Sequence, residues 1–551
     1  MRILLLCRAF NGLTQRVMVE LEERGHEVSV ELDVNDGVTT EAVMLFAPDL
    51  VIATYLTRRL PEAVWQTVPT LIVHPGPPGD RGPAALDRAI LDGASDWGVT
   101  LLQATADLDA GPVWAFRRFP MRDTTKSSLY RSEVTDAAVA CITEALAKFD
   151  AGEAAPAGAP PGAFRPAVTQ VERAIDWQRD ATGLVLAKLR AADGQPGVRS
   201  DVLGEAAFLF DAQAEPALRG QPGTLLAKRH GAVCLATIDG AVWIGHVRPV
   251  PVTAEAPTFK LPAVVFLGER GRSLPEQGGA ADIRYRESGD VGFLAFDFYN
   301  GAMSTVDCRR LLWAYQQARR RPTTVLVLEG GREFWSNGMN LMTIEAATSP
   351  AEESWANINA IDDLVEAIVG TTDKLIVAAL RGNAGAGGAF LAIAADQVLA
   401  RDGVVLNPHY KNMGNLFGSE LWTYLLPRRM APEVGEAMMG TRRPLGVDAA
   451  LRIGLVDERL PADRDAADRA VEERALSLAG DTALPRLLAA KAKARADDES
   501  KKPLAAYRRD ELERMGLNFF GFDSSYHVAR YHFVHKLRPA RTPFHLARHR
   551  R

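Results

Sequence analysis

The sequence contains few cysteines and no long apolar segment. Only four of the 551 residues are cysteine, and because they lie far apart without a C-x-x-C pair, they argue against a zinc site or a disulfide framework. No apolar run approaches the roughly 20 residues needed to cross a bilayer. The apolar run at positions 3–7 is too short for the core of a signal peptide. We therefore expect a soluble, cytoplasmic protein without a metal site or a membrane contact.

Strong positive charge is also absent. The net charge of −5 provides no general attraction to nucleic acid, so we expect no nucleic-acid partner. The one basic concentration is the tail, residues 536–551. Its basic side chains either remain solvated or meet the phosphates of a nucleotide-like ligand.

The chain is too long for one hydrophobic core, so we expect several domains. Residues 1–100 alternate apolar strands with amphipathic helices, a βαβ rhythm that predicts a parallel sheet. The turn at 8–12 lacks the G-x-G-x-x-G pattern, which favours a Rossmann-like sheet without a dinucleotide. An Ala/Gly/Pro-rich linker at 151–166 ends this domain, and strand-like runs at 223–228, 232–238 and 241–247 predict a small β-rich, OB-like domain.

A second polar, Gly-rich stretch at 268–280 precedes another α/β alternation that begins near residue 282. The predicted fold class is therefore an α/β multidomain protein. Its predicted segments are residues 1–165, 166–275 and 276–551.

Two polar residues lie at or just after the ends of predicted strands in the first domain. His74 ends a predicted strand and is followed by the Gly/Pro-rich loop 75–82, and Asp109 lies in a tight turn after the run 100–103. Open α/β folds bind ligands at such strand ends. These segments resemble the folate-dependent formyltransferases, whose strand ends in N-x-H and whose D-x-G turn carries an aspartate. The resemblance implies that His74 and Asp109 stabilise the tetrahedral intermediate formed on 10-formyltetrahydrofolate.

One position departs from that family pattern, because Ile72 occupies the place of its asparagine. Either Asn11 or Gln103 supplies the missing donor, or the acceptor is not an ordinary amine. We favour a thiol acceptor, since it can react as a thiolate and needs less proton management.

Two glycine turns mark the last segment, one at 334–341 and one at 381–390 after a predicted strand. They resemble the turns of the enoyl-CoA hydratase/isomerase, or crotonase, family. The resemblance implies coenzyme A binding and an oxyanion hole made by the backbone N–H groups of Met339 and Gly387.

The two glutamates of hydratases are missing from this segment. Phe390 stands at the first position and Tyr410 at the second, with Glu420 nearby. Hydration is therefore not expected. A buried Tyr410–Glu420 pair could move one proton, although a core tyrosine and a solvated glutamate are the alternative interpretation.

The order of these modules resembles the HypX/HoxX-type proteins of nickel–iron hydrogenase maturation. That resemblance implies formyl transfer to coenzyme A followed by decarbonylation of formyl-CoA to carbon monoxide, with hydrogenase maturation proteins as possible partners. Arg8 and Arg131 could meet the phosphates of the coenzyme or form surface salt bridges. A formyl-CoA hydrolase, an amine formyltransferase with a separate acyl-CoA activity, and a non-catalytic docking domain remain alternatives.

Overall fold

The computed structural model describes residues 1–156, 158, 161–253, 257–278 and 282–551. Its chain forms two compact units. The first contains Met1–Gly279 together with Pro539–Arg551, and the second contains Ala280–Arg538. Positions 157, 159, 160, 279 and 280 of the predicted linkers lie outside the described residues.

A six-stranded sheet forms the first part of unit 1, in the order β2-β1-β3-β4-β5-β6. Strands β1 to β4 pair in parallel, as predicted, whereas β5 and β6 pair antiparallel. Its strands are β1 (Arg2–Cys7), β2 (Glu27–Leu32), β3 (Leu50–Tyr55), β4 (Thr70–His74), β5 (Asp96–Gln103) and β6 (Val113–Pro120). Its helices are α1 (Gly12–Glu23), α2 (Asp36–Phe46), α3 (Glu62–Trp65), α4 (Ala85–Leu91), α5 (Lys126–Leu129) and α6 (Thr135–Asp150), with a π-helical turn at Tyr130–Val134 before α6.

The continuous apolar sequence of β1 follows from burial on both faces of the sheet. Ile3 and Leu5 contribute to the core under α1 and α6, whereas Leu4 and Leu6 contribute to the core under α2. Because successive strand residues point to opposite faces, a strand covered on both sides needs apolar residues at every position.

A second sheet completes unit 1 and confirms the predicted β-rich domain. Its strands pair antiparallel in the order β7-β8-β11-β10-β9, with β12 beside β11. The strands are β7 (Val198–Ser200), β8 (Ala207–Glu215), β9 (Leu225–Arg229), β10 (Ala232–Ala236), β11 (Ala241–Pro249) and β12 (Leu261–Pro262). The accompanying helices are α7 (Gln170–Arg173), α8 (Thr182–Ala192), α9 (Ala263–Leu267) and α10 (Glu269–Arg272).

Unit 2 contains a six-stranded sheet, β13-β14-β15-β17-β19-β21, and a three-stranded sheet, β16-β18-β20. The strands are β13 (Ile283–Ser288), β14 (Val291–Phe296), β15 (Val325–Glu329), β16 (Phe334–Ser336), β17 (Leu375–Leu380), β18 (Asn383–Gly385), β19 (Gln397–Arg401), β20 (Leu406–Asn407) and β21 (Glu458–Leu460). The helices are α11 (Thr305–Arg319), α12 (Leu341–Glu345), α13 (Pro350–Val369), α14 (Gly387–Ile393), α15 (Trp422–Arg429), α16 (Pro432–Thr441), α17 (Val447–Arg452), α18 (Arg464–Ala479), α19 (Leu484–Lys501), α20 (Leu504–Phe520) and α21 (Ser525–Val534).

The basic C-terminal tail is solvated in part: Lys536, Arg538 and Arg541 are exposed, whereas the segment from Thr542 onward packs along the edge strand β2. The backbone N–H of Val30 donates to Leu546 at 3.1 Å. The buried Glu31 carboxylate accepts hydrogen bonds from Thr542, from His549 at 2.8 Å and from Arg550 at 2.7 Å. Burial alone would raise the pKa of Glu31, but these partners outweigh it and hold the pKa below its usual range.

All four cysteines are free and buried. Among the helices of the described residues, none has both the length and the hydropathy to span a membrane.

Candidate functional sites

His74 lies between two carboxylates at the end of β4. Its Nε2 is 3.0 Å from Asp80 Oδ2, and its Nδ1 is 3.7 Å from Asp109 Oδ1. The side chains of His74 and Asp80 are only 4% and 5% exposed. The structure therefore brings His74 and Asp109 together and adds Asp80, which the sequence interpretation missed.

Asp80 is held on its second oxygen by Arg165, at 2.7 Å. Burial would raise the pKa of Asp80, but the hydrogen bonds of His74 and Arg165 outweigh it and lower that pKa. The sequence feature that could have identified Asp80 as a site residue is its position in the Gly/Pro-rich loop after His74. Arg165 gave no such signal because it lies 85 residues away along the chain.

The loop after His74 requires a glycine next to the His74–Asp80 pair. A Cβ atom on Gly76 would lie 2.5 Å from both His74 Nε2 and Asp80 Oδ2, so only glycine allows this pairing. Asp109 has a positive φ of 51°, and its Oδ2 accepts a hydrogen bond from the N–H of Gly82 at 3.0 Å. This contact fixes the carboxylate beside the imidazole.

The two candidate substitutes for the missing asparagine have other structural roles. Asn11 caps α1 by accepting from Thr14 N at 3.0 Å. Gln103 accepts from Trp114 Nε1 at 3.1 Å, and it is paired with Leu71, three residues before His74 on the neighbouring strand. Within the described part of the chain, neither side chain has a hydrogen bond to His74. Ile72, which occupies the position of the family asparagine, packs against the apolar core under α2.

Arg8 and Arg131 occupy different elements of the first sheet domain. Arg8 follows β1 and donates from its guanidinium to the carbonyl of Asp33 at 3.1 Å. Arg131 lies on the π-helical turn before α6, and such turns are frequently found at functional sites. Their role toward phosphate stays a prediction.

The two glycine turns of unit 2 lie next to each other. A Cβ atom on Gly338 would be 3.4 Å from the backbone N of Gly387, and Met339 follows Gly338 directly. As the first residue of α14, Gly387 has an N–H without a partner inside the helix. The arrangement fits the predicted oxyanion hole, in which Met339 and Gly387 would donate to a thioester oxygen.

Tyr410 and Glu420 form a buried hydrogen-bonded pair beside this turn. The Tyr410 hydroxyl donates to Glu420 Oε2 at 2.6 Å and lies 3.0 Å from the carbonyl of Ser419. Glu420 is 1% exposed and Tyr410 is 5% exposed. The alternative of a solvated glutamate is therefore wrong. A Cβ atom on Gly387 would lie 2.0 Å from Glu420 Oε1, so this carboxyl packs directly against the predicted donor residue.

Phe390, at the position predicted to correspond to the first hydratase glutamate, packs against the tyrosine. Its ring stacks on Tyr410 with a centroid distance of 5.1 Å and an interplanar angle of 14°. On another side, a Cβ atom on Gly418 would lie 2.1 Å from the Tyr410 ring. These contacts fix the ring, and therefore direct its hydroxyl to Glu420.

The surroundings of the pair make both groups weaker acids. Burial, together with the neighbouring Asp362, raises the pKa of Glu420 to about 8. Burial and the adjacent Glu420 raise the pKa of Tyr410 well above its usual value. A carboxylate with a raised pKa is a stronger base when ionised, and this property suits proton transfer near neutral pH.

Three segments of the chain match known protein families. Residues 25–146 match the formyl transferase family, residues 167–256 match the formyl transferase C-terminal domain, and residues 301–540 match the enoyl-CoA hydratase/isomerase family. A methionyl-tRNA formyltransferase of Dechloromonas aromatica is 31% identical over 30% of this chain and 54% of its own length.

Other relatives match the whole chain. The hydrogenase maturation factor HoxX of Bradyrhizobium diazoefficiens is 54% identical, across 100% of this chain and 97% of its own length. The crystal structure of HypX from Aquifex aeolicus in complex with tetrahydrofolic acid is 49% identical, with a TM-score of 0.97 across 100% of this chain and 99% of that protein. The predicted fold class, with a Rossmann-like formyltransferase domain and a crotonase-fold domain, is thereby confirmed.

Proposed function

Because the chain belongs to the HoxX/HypX family of hydrogenase maturation factors, we propose that it transfers the formyl group of 10-formyltetrahydrofolate to coenzyme A and then decarbonylates formyl-CoA. The product is carbon monoxide for the iron centre of a nickel–iron hydrogenase. One observation carries the second step: a buried Tyr410–Glu420 pair packs against Gly387, whose N–H is the proposed donor to the thioester oxygen.

In the first step the thiolate of coenzyme A attacks the formyl carbon, and the carbon–N10 bond of the folate breaks. N10 takes a proton and tetrahydrofolate leaves. His74 is oriented between Asp80 and Asp109, and its proposed role is to stabilise the charge that develops on the formyl oxygen and on N10. Such preoriented polar groups stabilise a tetrahedral intermediate without reorganising in the reaction.

In the second step the formyl C–H bond and the carbon–sulfur bond break. Tyr410 and Glu420 take up the proton, the sulfur leaves with its bonding electrons, and carbon monoxide is released. The thiolate then regains the proton. Since the Tyr410 hydroxyl can donate either to Glu420 or to the carbonyl of Ser419, it keeps a partner in both protonation states of the glutamate. The backbone N–H groups of Met339 and Gly387 would hold the thioester oxygen.

The glycine turns fit a coenzyme A thioester, because their backbone amides are not shielded by side chains. Arg8 and Arg131 are the proposed phosphate partners in unit 1. HypX from Aquifex aeolicus was crystallised in complex with tetrahydrofolic acid. This complex supports tetrahydrofolate as the product of the first step.

The test is to incubate the purified chain with coenzyme A and 10-formyltetrahydrofolate that is isotopically labelled in the formyl group. We expect the label in carbon monoxide, in an amount equal to the tetrahydrofolate formed. Label in formate would indicate a hydrolase, and label in a formylated amine would indicate an amine formyltransferase. Consumption of no folate would overturn the proposal.

A further inference from the structure

Three buried carboxyl groups from three different elements meet at the turn that carries Glu420. The Ser419 hydroxyl donates to Asp362 Oδ2 at 2.8 Å and lies 3.4 Å from Glu511 Oε2. Asp362 and Glu511 are both 0% exposed. Buried carboxyl groups are rare unless they have hydrogen-bonding or charged partners. The partners of these groups therefore indicate what the cluster does.

The carboxyl groups of α13 and α20 bind the backbone of this turn. Asp362 Oδ1 accepts from Glu420 N at 2.8 Å, and Glu511 accepts from Leu421 N at 2.9 Å and from Thr423 N at 2.8 Å. Glu511 therefore caps the first turn of α15, where N–H groups lack intrahelical partners.

The backbone of the turn is strained, with positive φ values of 64° at Glu420 and 56° at Leu421. Two consecutive non-glycine residues in the left-handed region persist only where surrounding contacts impose them. Here the contacts are the hydrogen bonds to Asp362 and Glu511. Because they orient the backbone at Glu420, they also direct its carboxyl toward Tyr410 and Gly387.

We propose that Asp362 and Glu511 are positioning residues for Glu420, and that the charge of Asp362 sets the pH at which Glu420 exchanges its proton. This inference rests on the proposed decarbonylation, for which Glu420 is a proton acceptor. It assigns to Asp362 and Glu511 the positioning of this proton acceptor. In the part of the chain that the structure describes, neither residue forms a hydrogen bond to Tyr410.

The charged and titratable groups around Glu420 support this assignment. Tyr410 donates to it, Asp362 and Glu511 face it, and the Cys308 thiol, whose pKa is raised chiefly by burial, lies close enough to interact. Arg508 Nε is 3.8 Å from Asp362 Oδ2.

Asp362 is the second cause, after burial, of the raised pKa of Glu420, and its own pKa is raised to about 6 by burial. Asp362 is thus ionised when Glu420 titrates, so removal of its charge should make Glu420 lose its proton at lower pH.

The test compares Asp362→Asn with Asp363→Asn, an exposed neighbour on α13 that also pairs with Arg508. The pH profile of labelled carbon monoxide formation should shift downward by about one unit in Asp362→Asn and stay unchanged in the control. An unshifted profile for a folded Asp362→Asn chain would overturn the proposal. If that variant does not fold, Glu511→Gln replaces it, with a shift in the same direction expected.

A readout that needs no activity separates this inference from the proposed function. The infrared band of the protonated Glu420 carboxyl is obtained from the difference between the wild-type chain and Glu420→Gln. Its loss with rising pH should occur at lower pH in Asp362→Asn. An unchanged titration would refute the inference even if carbon monoxide is formed, whereas a wild-type chain that forms no carbon monoxide refutes only the proposed function.

Discussion

At the scale of single residues, the first site depends on an imidazole held between two carboxylates. Asp109→Asn removes the charge that faces His74 Nδ1 but keeps the size of the side chain. We expect formyl transfer, measured as tetrahydrofolate release, to fall on the order of 10²-fold or more while coenzyme A affinity stays unchanged. Asp107→Asn, an exposed position in the same turn, is the matched control. Wild-type release by Asp109→Asn would remove this site from the mechanism.

Asp80 offers a second test, because it orients the other nitrogen of the same ring. Asp80→Asn should lower formyl transfer by about tenfold, whereas Asp92→Asn, which loses only the outer contact of Arg165, should not. Equal rates in both variants would exclude a positioning role.

The pH dependence of stability checks the same residue. Since the pKa of Asp80 is lowered in the folded chain, its ionised form stabilises the fold above the usual pKa, about 4. This stabilisation is lost as the pH falls through the folded-state pKa. The stability difference between the wild-type chain and Asp80→Asn should therefore shrink below about pH 4.

The two candidate phosphate ligands are testable one at a time. A hydrogen bond to a charged group contributes about 1.5–3 kcal/mol, so Arg8→Ala or Arg131→Ala should weaken coenzyme A binding by at least about tenfold in calorimetry. Arg24→Ala, an exposed arginine at the end of α1, is the control. Unchanged affinity in both variants would assign these arginines to structure alone.

At the scale of secondary-structure elements, the C-terminal tail packs against the edge strand β2 and forms hydrogen bonds with it. Thr542 donates to Glu31 and accepts from Leu32 N at 2.7 Å. Thr542→Val keeps the shape but removes both hydrogen bonds, and a buried unsatisfied group costs about 1–3 kcal/mol.

Hydrogen exchange of the β2 amides measures this effect in the full chain. We expect faster exchange at Val30 and Leu32 in Thr542→Val, and wild-type protection in Thr542→Ser, which retains the hydroxyl. Identical exchange in all three proteins would show that the tail does not stabilise the strand.

At the scale of the whole molecule, the two steps are assigned to different compact units, since His74 and Asp109 belong to unit 1 and Tyr410 and Glu420 belong to unit 2. Tyr410→Phe or Glu420→Gln should therefore still consume 10-formyltetrahydrofolate. Formyl-CoA should accumulate or leak as formate, and carbon monoxide should be lost. Tyr424→Phe, a tyrosine elsewhere in unit 2 whose hydroxyl binds Asp498, is the control. A normal carbon monoxide yield in both Tyr410→Phe and Glu420→Gln would contradict the assignment of these residues to decarbonylation.

The sequence by itself determined the features that depend on neighbouring residues. The parallel strands β1 to β4 follow from the apolar patterning of residues 1–100. The turns around His74 and Gly387 could be recognised from their clustered glycines. Tyr410 and Glu420 lie 10 residues apart, so one local segment was enough to predict their pairing.

The tertiary structure alone decided the contacts between distant parts of the chain. Asp362 lies 58 residues before Glu420, Glu511 lies 90 residues after Leu421, and Thr542 lies 511 residues after Glu31. A single sequence carries no periodic or steric signal for such pairs. They form because folding buries a polar group that then requires a partner, and which partner is near depends on how helices and strands pack.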